Sequence, residues 1–218
     1  MNFIHTLMEN FEKKTAEYLL QIKAIKLQPS NPFTWASGWK SPIYCDNRKT
    51  LSFPEVRSFI RDSFAAMIKN IYPEADMIAG VATGAIAHGV LVADKMGLPF
   101  IYVRSGAKEH GLGNQIEGHF SPGQKVVVIE DLISTGGSSL SAVNALRESG
   151  CEVLGMVAIF TYEFKKATDA FTAADCRLNT LSNYSALVES AVTTGYIGQA
   201  EVETLKKWRT DPANWGIK

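Results

Sequence analysis

The sequence predicts an α/β fold built on a parallel sheet with helices on both faces. From Met77 to Phe160, short apolar runs alternate with amphipathic helical stretches, the rhythm of repeated strand and helix units. The runs read as buried strands, as expected where helices cover a parallel sheet on both sides. The length of 218 residues, against a usual domain of roughly 100 to 200, fits one sizeable domain.

The elements follow in order. Phe11, Tyr18, Leu19 and Ile22 form a helical stripe with Glu and Lys on the other side, which predicts an amphipathic N-terminal helix over 11–22. From Leu27 to Leu51 periodicity is lost; Pro29, Pro32, Pro42, two tryptophans and the basic Lys40, Arg48 and Lys49 predict a long, structured, aromatic loop region. Ser52 and Glu55, at capping-box spacing, announce a second helix carried by Val56, Phe59, Ile60, Phe64, Met67, Ile68 and Ile71 and stopped by Pro73. Strands are expected at 77–82, 100–104, 125–130 and 153–160, with helices at 86–96 and 138–148. A strand near 178–181 and helices near 185–193 and 200–208 complete the chain. Residues 105–124 carry Gly106, Gly111, Gly113, Gly118 and Gly123 and too few apolar residues for a conventional element, so they are expected to form a loop.

With 46% hydrophobic and 20% charged residues, the chain can bury enough apolar surface to outweigh ordering entropy, which excludes disorder for most of its length. Lys+Arg and Asp+Glu are both 22, so no global field draws the protein to nucleic acid or an anionic membrane; any cationic function must be local. Cys45, Cys151 and Cys176 are odd in number and far apart, without zinc or disulfide spacing, which fits a reducing cytoplasm. Charged residues break the apolar N-terminus, so no signal peptide is expected, and the uncharged stretch from Met77 to Ala93 is short of a membrane span.

Val126 to Ser139, VVVIEDLISTGGSS, carries the strongest chemical signal: a buried strand, the acids Glu130 and Asp131 at its carboxyl end, and a Gly/Ser/Thr turn feeding a helix. Thr135, Gly136, Gly137 and Ser138 can offer backbone amides and hydroxyls at a helix N-terminus, where an anion is favoured. The turn has no Lys and no spaced glycines, so a sugar phosphate suits it better than a nucleoside triphosphate or a dinucleotide. Carboxylates just before such a pocket suit ribose hydroxyls. The blander reading is a helix-preceding cap and a tight turn.

This segment resembles the signature of the type I phosphoribosyltransferases, which bind 5-phosphoribosyl-1-pyrophosphate. Taken with FTWASGWKSPIYCDNR (33–48) and VRSGAKEHGLGN (103–114), in the same order and spacing, it is similar to the bacterial orotate phosphoribosyltransferases from Leu27 to about Tyr162. The resemblance implies the type I phosphoribosyltransferase fold over 1–218, with a hood-like, base-binding region at 27–51 and a mobile lid at 105–124. It implies transfer of phosphoribosyl to orotate in pyrimidine synthesis, with Mg²⁺ held mainly by phosphoribosyl pyrophosphate and no protein metal ligands, in a cytoplasmic homodimer whose lids are shared between subunits. Glu130, Asp131, Leu132, Ile133, Ser134, Thr135, Gly136, Gly137 and Ser138 would bind phosphoribosyl; Thr83 and Gly84 would meet the pyrophosphate; Arg104, Lys108 and His110 would bring charge to it from the lid. Catalysis would rest on Arg104, Lys108, His110 and Asp131, and orotate would meet Ser134, Lys40, Tyr44 and Arg48.

The chain departs from the better-known branch at four cations, replaced here by Ala36, Ser105, Gly84 and Tyr162. Lys40, Arg48 or Lys49 is expected to restore one of those charges. The rival readings are a purine or uracil phosphoribosyltransferase, which would lack the 33–48 region, and a non-catalytic sensor of phosphoribosyl pyrophosphate, against which the zero net charge speaks.

Overall fold

The computed structural model describes residues 3–35, 38–104, 106 and 115–216. Helix α1 (Phe3–Gln21) leads into two small antiparallel hairpins, in which β1 (Ile25–Leu27) pairs with β4 (Ile43–Cys45) and β2 (Phe33–Thr34) with β3 (Lys40–Ser41). A 3₁₀ turn (Asn47–Ser52) then precedes α2 (Pro54–Ile71). The region that lacks periodicity in sequence is therefore a hairpin platform whose pairings are two or three residues long, too short to impose a repeat.

The remaining elements are β5 (Met77–Val81), α3 (Ile86–Met96), β6 (Phe100–Val103), β7 (Ile116–Glu117), β8 (Lys125–Ile133), α4 (Gly137–Glu148), β9 (Glu152–Thr161), α5 (Lys165–Ala173), β10 (Leu178–Asn183), α6 (Tyr184–Thr193) and α7 (Gln199–Thr210). The main sheet runs β10-β9-β8-β5-β6-β7, parallel throughout except for β7, which pairs antiparallel with β6 at the edge. The strand order reverses at β5: the chain leaves it for β6 on one side and later returns to place β8 on the other. Crevices at such switch points, beyond the carboxyl ends of the strands, are where α/β sheets bind ligands.

Alternate residues of the central strands feed two cores, one on each face. Ile78, Val127, Ile129, Val157 and Ile159 pack with α1, α2, α3, α6 and α7, whereas Met77, Ala79, Val126, Val128, Met156 and Ala158 pack with α4 and α5. This is the two-sided burial that the apolar runs predict.

Four expectations are corrected. The helix after the platform begins at Pro54 with Phe53 at its N-cap and no side-chain cap, because Ser52 closes the 3₁₀ turn and Pro54 presets the first helical φ. β8 continues to Ile133, so Glu130 and Asp131 lie within the strand, still paired with β9, rather than beyond it. Within 105–124, Ile116 is buried and Ile116–Glu117 form β7, so those two residues are sheet edge rather than loop. Helix α5 has no counterpart in the sequence reading; its core contacts among the described residues rest on Ala167 and Phe171, too sparse a stripe to announce it.

Candidate active site

The carboxyl ends of β5 and β8 open into a cleft of 420 Å³ lined by Cys45, Asp46, Arg48, Val81, Ala82, Thr83, Gly84, Arg104, Glu130, Asp131, Leu132, Ser138 and Ala142. The cleft thus gathers residues from the β5 turn, β6, β8, α4 and the hairpin platform. The peptide joining Ala82 to Thr83 is cis. A side chain at Gly84 would fall on the Asp131 carboxylate, so glycine there is what lets the β5 turn lie against β8.

The two acids sit in different surroundings. Glu130 is 5% exposed; its Oε2 accepts a bond from the Ser139 hydroxyl at 2.9 Å and its Oε1 accepts one from the Asp131 amide at 2.9 Å. Burial, followed by the neighbouring charge of Asp131, pushes the Glu130 carboxyl up to about 8. Asp131 is only partly buried and faces the cleft beside Gly84. Its main-chain carbonyl accepts a bond from Asn47 Nδ2 at 2.6 Å, which ties the platform to β8. Asn47 also presents Oδ1 to the Cys45 thiol at 3.3 Å, and its carbonyl accepts the Thr50 hydroxyl at 2.5 Å. Thr50 Oγ1 lies 3.2 Å from Nε2 of His88, a buried ring whose pKa burial lowers to about 4. Because the Thr50 proton goes to Asn47, Thr50 accepts from a neutral His88 carrying its proton on Nε2. Burial, then the charge of Asp131, raises the Cys45 thiol well above its ordinary value, which leaves it protonated and poorly nucleophilic.

A second cavity of 340 Å³ adjoins the first, sharing Cys45 and Leu132 with it; Thr34, Trp35, Tyr44, Ser134 and Tyr162 complete the wall. Its walls are largely aromatic. Trp35 and Tyr162 stand 5.3 Å apart between ring centres, and Trp35 Nε1 donates to the Ile43 carbonyl at 3.1 Å. Lys40 Nζ donates to the hydroxyl of Thr34, one of the lining residues, at 2.8 Å. A planar ring of modest size could lie in this cavity against the aromatic wall, with Ser134 and Thr34 as hydroxyl partners.

The residues singled out in sequence are brought together in part. Arg104, Thr83, Gly84, Glu130, Asp131, Leu132, Ser138 and Arg48 line the first cavity, and Ser134, Tyr44 and Leu132 the second. Thr135, Gly136 and Gly137 form the turn between β8 and α4 without lining either. Ile133 is fully buried and its carbonyl accepts the Tyr162 amide, so its side chain is core. Arg48 is held by Asp46 at 2.7 Å, Lys40 stands beside the second cavity through Thr34, and Lys49 Nζ is turned to the Lys23 carbonyl at 3.1 Å, lining neither. Arg104 NH1 lies 3.7 Å from Glu117 Oε1 on the edge strand. Lys108, His110, Ser105 and Ala36 lie outside the described residues. Sequence reasoning gave no weight to Asn47 or to the aromatic pairing of Trp35 with Tyr162, since both depend on contacts across more than 80 residues.

No group of three or more His, Cys, Asp or Glu able to hold a metal ion occurs among the described residues, and none of their helices is long and apolar enough to cross a membrane.

Comparison with known proteins agrees with this architecture. Residues 54–191 match the phosphoribosyl transferase domain family. Orotate phosphoribosyltransferase of Phocaeicola vulgatus is 61% identical over 208 residues, covering 95% of this chain and 98% of that protein. The Listeria monocytogenes orotate phosphoribosyltransferase is 57% identical over 207 residues, covering 95% and 99%. Among solved structures, orotate phosphoribosyltransferase from Aeropyrum pernix superposes with a TM-score of 0.73 at 26% identity, covering 84% of this chain and 99% of that one. Agreement that runs nearly end to end through both the shared domain and the hairpin platform before it means that the chain belongs to the phosphoribosyl transferase family, in its orotate phosphoribosyltransferase branch.

Proposed function

We propose that the chain transfers phosphoribosyl from phosphoribosyl pyrophosphate to orotate, forming orotidine 5′-monophosphate and pyrophosphate in pyrimidine synthesis. The observation that carries this reading is the pair of abutting cavities, one polar beneath the β8 turn and one aromatic, which share Cys45 and Leu132 at their junction. A phosphoribosyl group in the first and a pyrimidine in the second would bring a ribosyl carbon and a ring nitrogen together at that seam.

In this reading the β8–α4 turn, Thr135 to Ser138, takes the 5′-phosphate on its amides and hydroxyls. Asp131 and Glu130 face the ribose diol, Asp131 as the acceptor and Glu130 as the buried group that braces it through Ser139 and the Asp131 amide. Thr83, Gly84 and Arg104 meet the pyrophosphate, joined by Lys108 and His110 when the lid closes. Ser134, Tyr44 and Lys40 take orotate, with Lys40 countering its carboxylate from beside Thr34. Arg48, lining the polar cavity, serves the pyrophosphate side rather than the base.

The bond from the ribosyl carbon to the pyrophosphate oxygen breaks, its electron pair leaving with pyrophosphate, while the orotate ring nitrogen supplies the pair for the new bond. Positive charge gathers on the sugar and negative charge on the leaving group. Asp131 stabilises the first and Arg104 the second, and aligned binding removes much of the entropic barrier. No protein nucleophile is required, consistent with a Cys45 thiol kept protonated. Mg²⁺, carried in on the pyrophosphate oxygens, would neutralise leaving-group charge. Glu130 suits it poorly as a ligand at neutral pH, with both oxygens engaged and its carboxyl pushed up to about 8, which leaves Asp131 as the adjoining carboxylate. A cytoplasmic setting is part of this reading, and the free Cys45, Cys151 and Cys176 support it. An assay of orotate consumption, with and without phosphoribosyl pyrophosphate and Mg²⁺, tests the proposal: loss of orotate absorbance only with both present supports it, and turnover of adenine, guanine or uracil in its place overturns it.

A further inference from the structure

We infer that the C-terminal helix α7 sets base discrimination, with Trp208 acting as a positioning residue that holds the aromatic wall of the second cavity from behind. The inference rests on the assignment of that cavity to the base. Trp208 is fully buried, and its ring meets Trp35 edge-on at 5.7 Å, Tyr162 edge-on at 5.8 Å, Phe164 at 5.4 Å and Tyr184 at 5.5 Å. Trp35 and Tyr162 are cavity walls, yet Trp208 is not; it touches the two walls and no other lining residue of that cavity by ring contact.

A second set of bonds fixes the same helix to the same place. Arg209, the next residue, donates to Glu163 Oε2 at 2.9 Å and to the Ser185 hydroxyl at 3.0 Å, while Glu163 also receives the Ser185 amide at 2.9 Å. Glu163 directly follows the wall residue Tyr162. The helix is thus locked to the carboxyl end of β9 on one side of Trp208, and the indole wedges between β9 and the platform on the other.

The segments that meet here lie on either side of the shared domain. The family match spans residues 54–191; Trp35 precedes it and Trp208 follows it. The phosphate-facing turn belongs to the common scaffold, whereas the rear support of the base wall is assembled from the flanks. Close-packed side chains relax only partly around a void, so removing the wedge would let the touching Trp35 and Tyr162 rings shift and loosen the cavity wall they form. Such a cavity should bind orotate less tightly and discriminate less well among bases, without disturbing the phosphoribosyl side.

The experiment compares the full-length wild type with Trp208→Phe, Trp208→Ala and Arg209→Ala. Trp208 Nε1 has no hydrogen-bond partner among the described residues, so Phe keeps a ring in place and breaks no protein bond. Orotate KM, kcat, phosphoribosyl pyrophosphate affinity by calorimetry, and rates with orotate, 5-substituted orotates and uracil would be measured. Trp208→Ala should raise orotate KM roughly tenfold with kcat little changed, the signature of lost binding common to ground and transition states. Phosphoribosyl pyrophosphate affinity should stay within about twofold of wild type, bulkier 5-substituted orotates should gain relative to orotate, and Trp208→Phe should restore most of the loss. Should Trp208→Ala fail to fold, Arg209→Ala, whose side chain is partly exposed, is expected to give the same pattern at lower amplitude. An unchanged orotate KM in the folded variants overturns the inference. So does a parallel fall in both substrate affinities, which is the mark of general loosening. If the wild type instead consumes another base, the cavity assignment fails first, and the same KM comparison on that base still decides the role of Trp208.

Discussion

Glu130 and Asp131 are neighbours on β8 and point the same kind of group toward one cleft, yet their surroundings give them different work. In the proposed reaction the half-buried Asp131 meets the developing sugar cation, and Asp131→Asn keeps its shape while replacing the carboxyl by an amide. Electrostatic contacts of that kind are worth about 2.7 to 4 kcal/mol, so turnover should fall roughly a hundred- to a thousandfold with the melting temperature little changed; steady-state kinetics beside thermal melting checks this. The buried Glu130 speaks through stability instead. Its carboxyl is pushed up to about 8, above the unfolded value, so the folded state holds its proton more tightly. Stability from this group is fully present below about pH 4.5 and lost as pH rises through 8. His88 runs the other way: with its pKa lowered to about 4, it contributes above about pH 6.5 and loses that contribution as pH falls toward 4. Above pH 7 His88 is neutral in both states, which isolates Glu130. Between pH 7 and 9 the wild type should lose roughly 1 to 2 kcal/mol relative to Glu130→Gln, which cannot ionise. Denaturant melts of the two proteins across that range measure the difference, and parallel pH profiles would mean that Glu130 is ionised in the fold.

At the scale of the element, the turn between β8 and α4 contains adjacent glycines with different physical duties. Gly136 has φ +82 and sits at the N-cap of α4, with the Phe171 ring 3.0 Å from where a Cβ would be; Gly137 has nothing within 4 Å of that position. Gly136→Ala should therefore destabilise the protein by roughly 1 to 3 kcal/mol through backbone strain and ring displacement. Gly137→Ala should leave stability near wild type and instead weaken phosphoribosyl pyrophosphate binding, because its added methyl projects into open space where a phosphate would approach. Melting curves and calorimetry on the pair separate the two duties, and equal stability losses would remove the distinction. This turn was legible in sequence because its signal is local: a strand, two acids and glycines before a helix, all within 14 residues. The same holds for β5 and β6, whose apolar runs are short and continuous, and for α3, which Gly97 ends. The platform was not legible in detail, since Asn47 reaches Asp131 across 84 residues and the short hairpins leave no periodic trace. Nor could sequence choose among the three basic candidates. Lys40, Arg48 and Lys49 are alike in composition, and only the folded platform sends the first to Thr34, the second to Asp46 and the third to the Lys23 carbonyl.

At the scale of the whole molecule, the cleft has cations on its floor and side but lacks cover among the described residues. Arg104 follows β6 at its rim, where the Gln115 side chain donates to the Arg104 carbonyl at 2.9 Å and the Gln115 carbonyl accepts the Arg104 amide at 2.9 Å. These paired bonds hold Arg104 and Gln115 against each other at the rim. We propose that Lys108 and His110 act at the cleft of a second copy in a two-fold dimer, so that each site is completed by its partner. Closed symmetry makes the consequence countable. On that arrangement Lys108→Ala removes a charge from the partner's cleft, whereas Asp131→Asn disables its own, so each homodimer should be nearly inactive. In a mixed dimer, one site would receive both defects and the other neither. Random co-refolding at equal amounts makes about half the dimers mixed, each with one intact site, so activity should return to roughly a quarter of wild type. Mass spectrometry of the intact assembly would show that mixed dimers form. Their presence without recovered activity would mean that each lid serves its own subunit, and a mixture that stays monomeric would remove the shared site altogether.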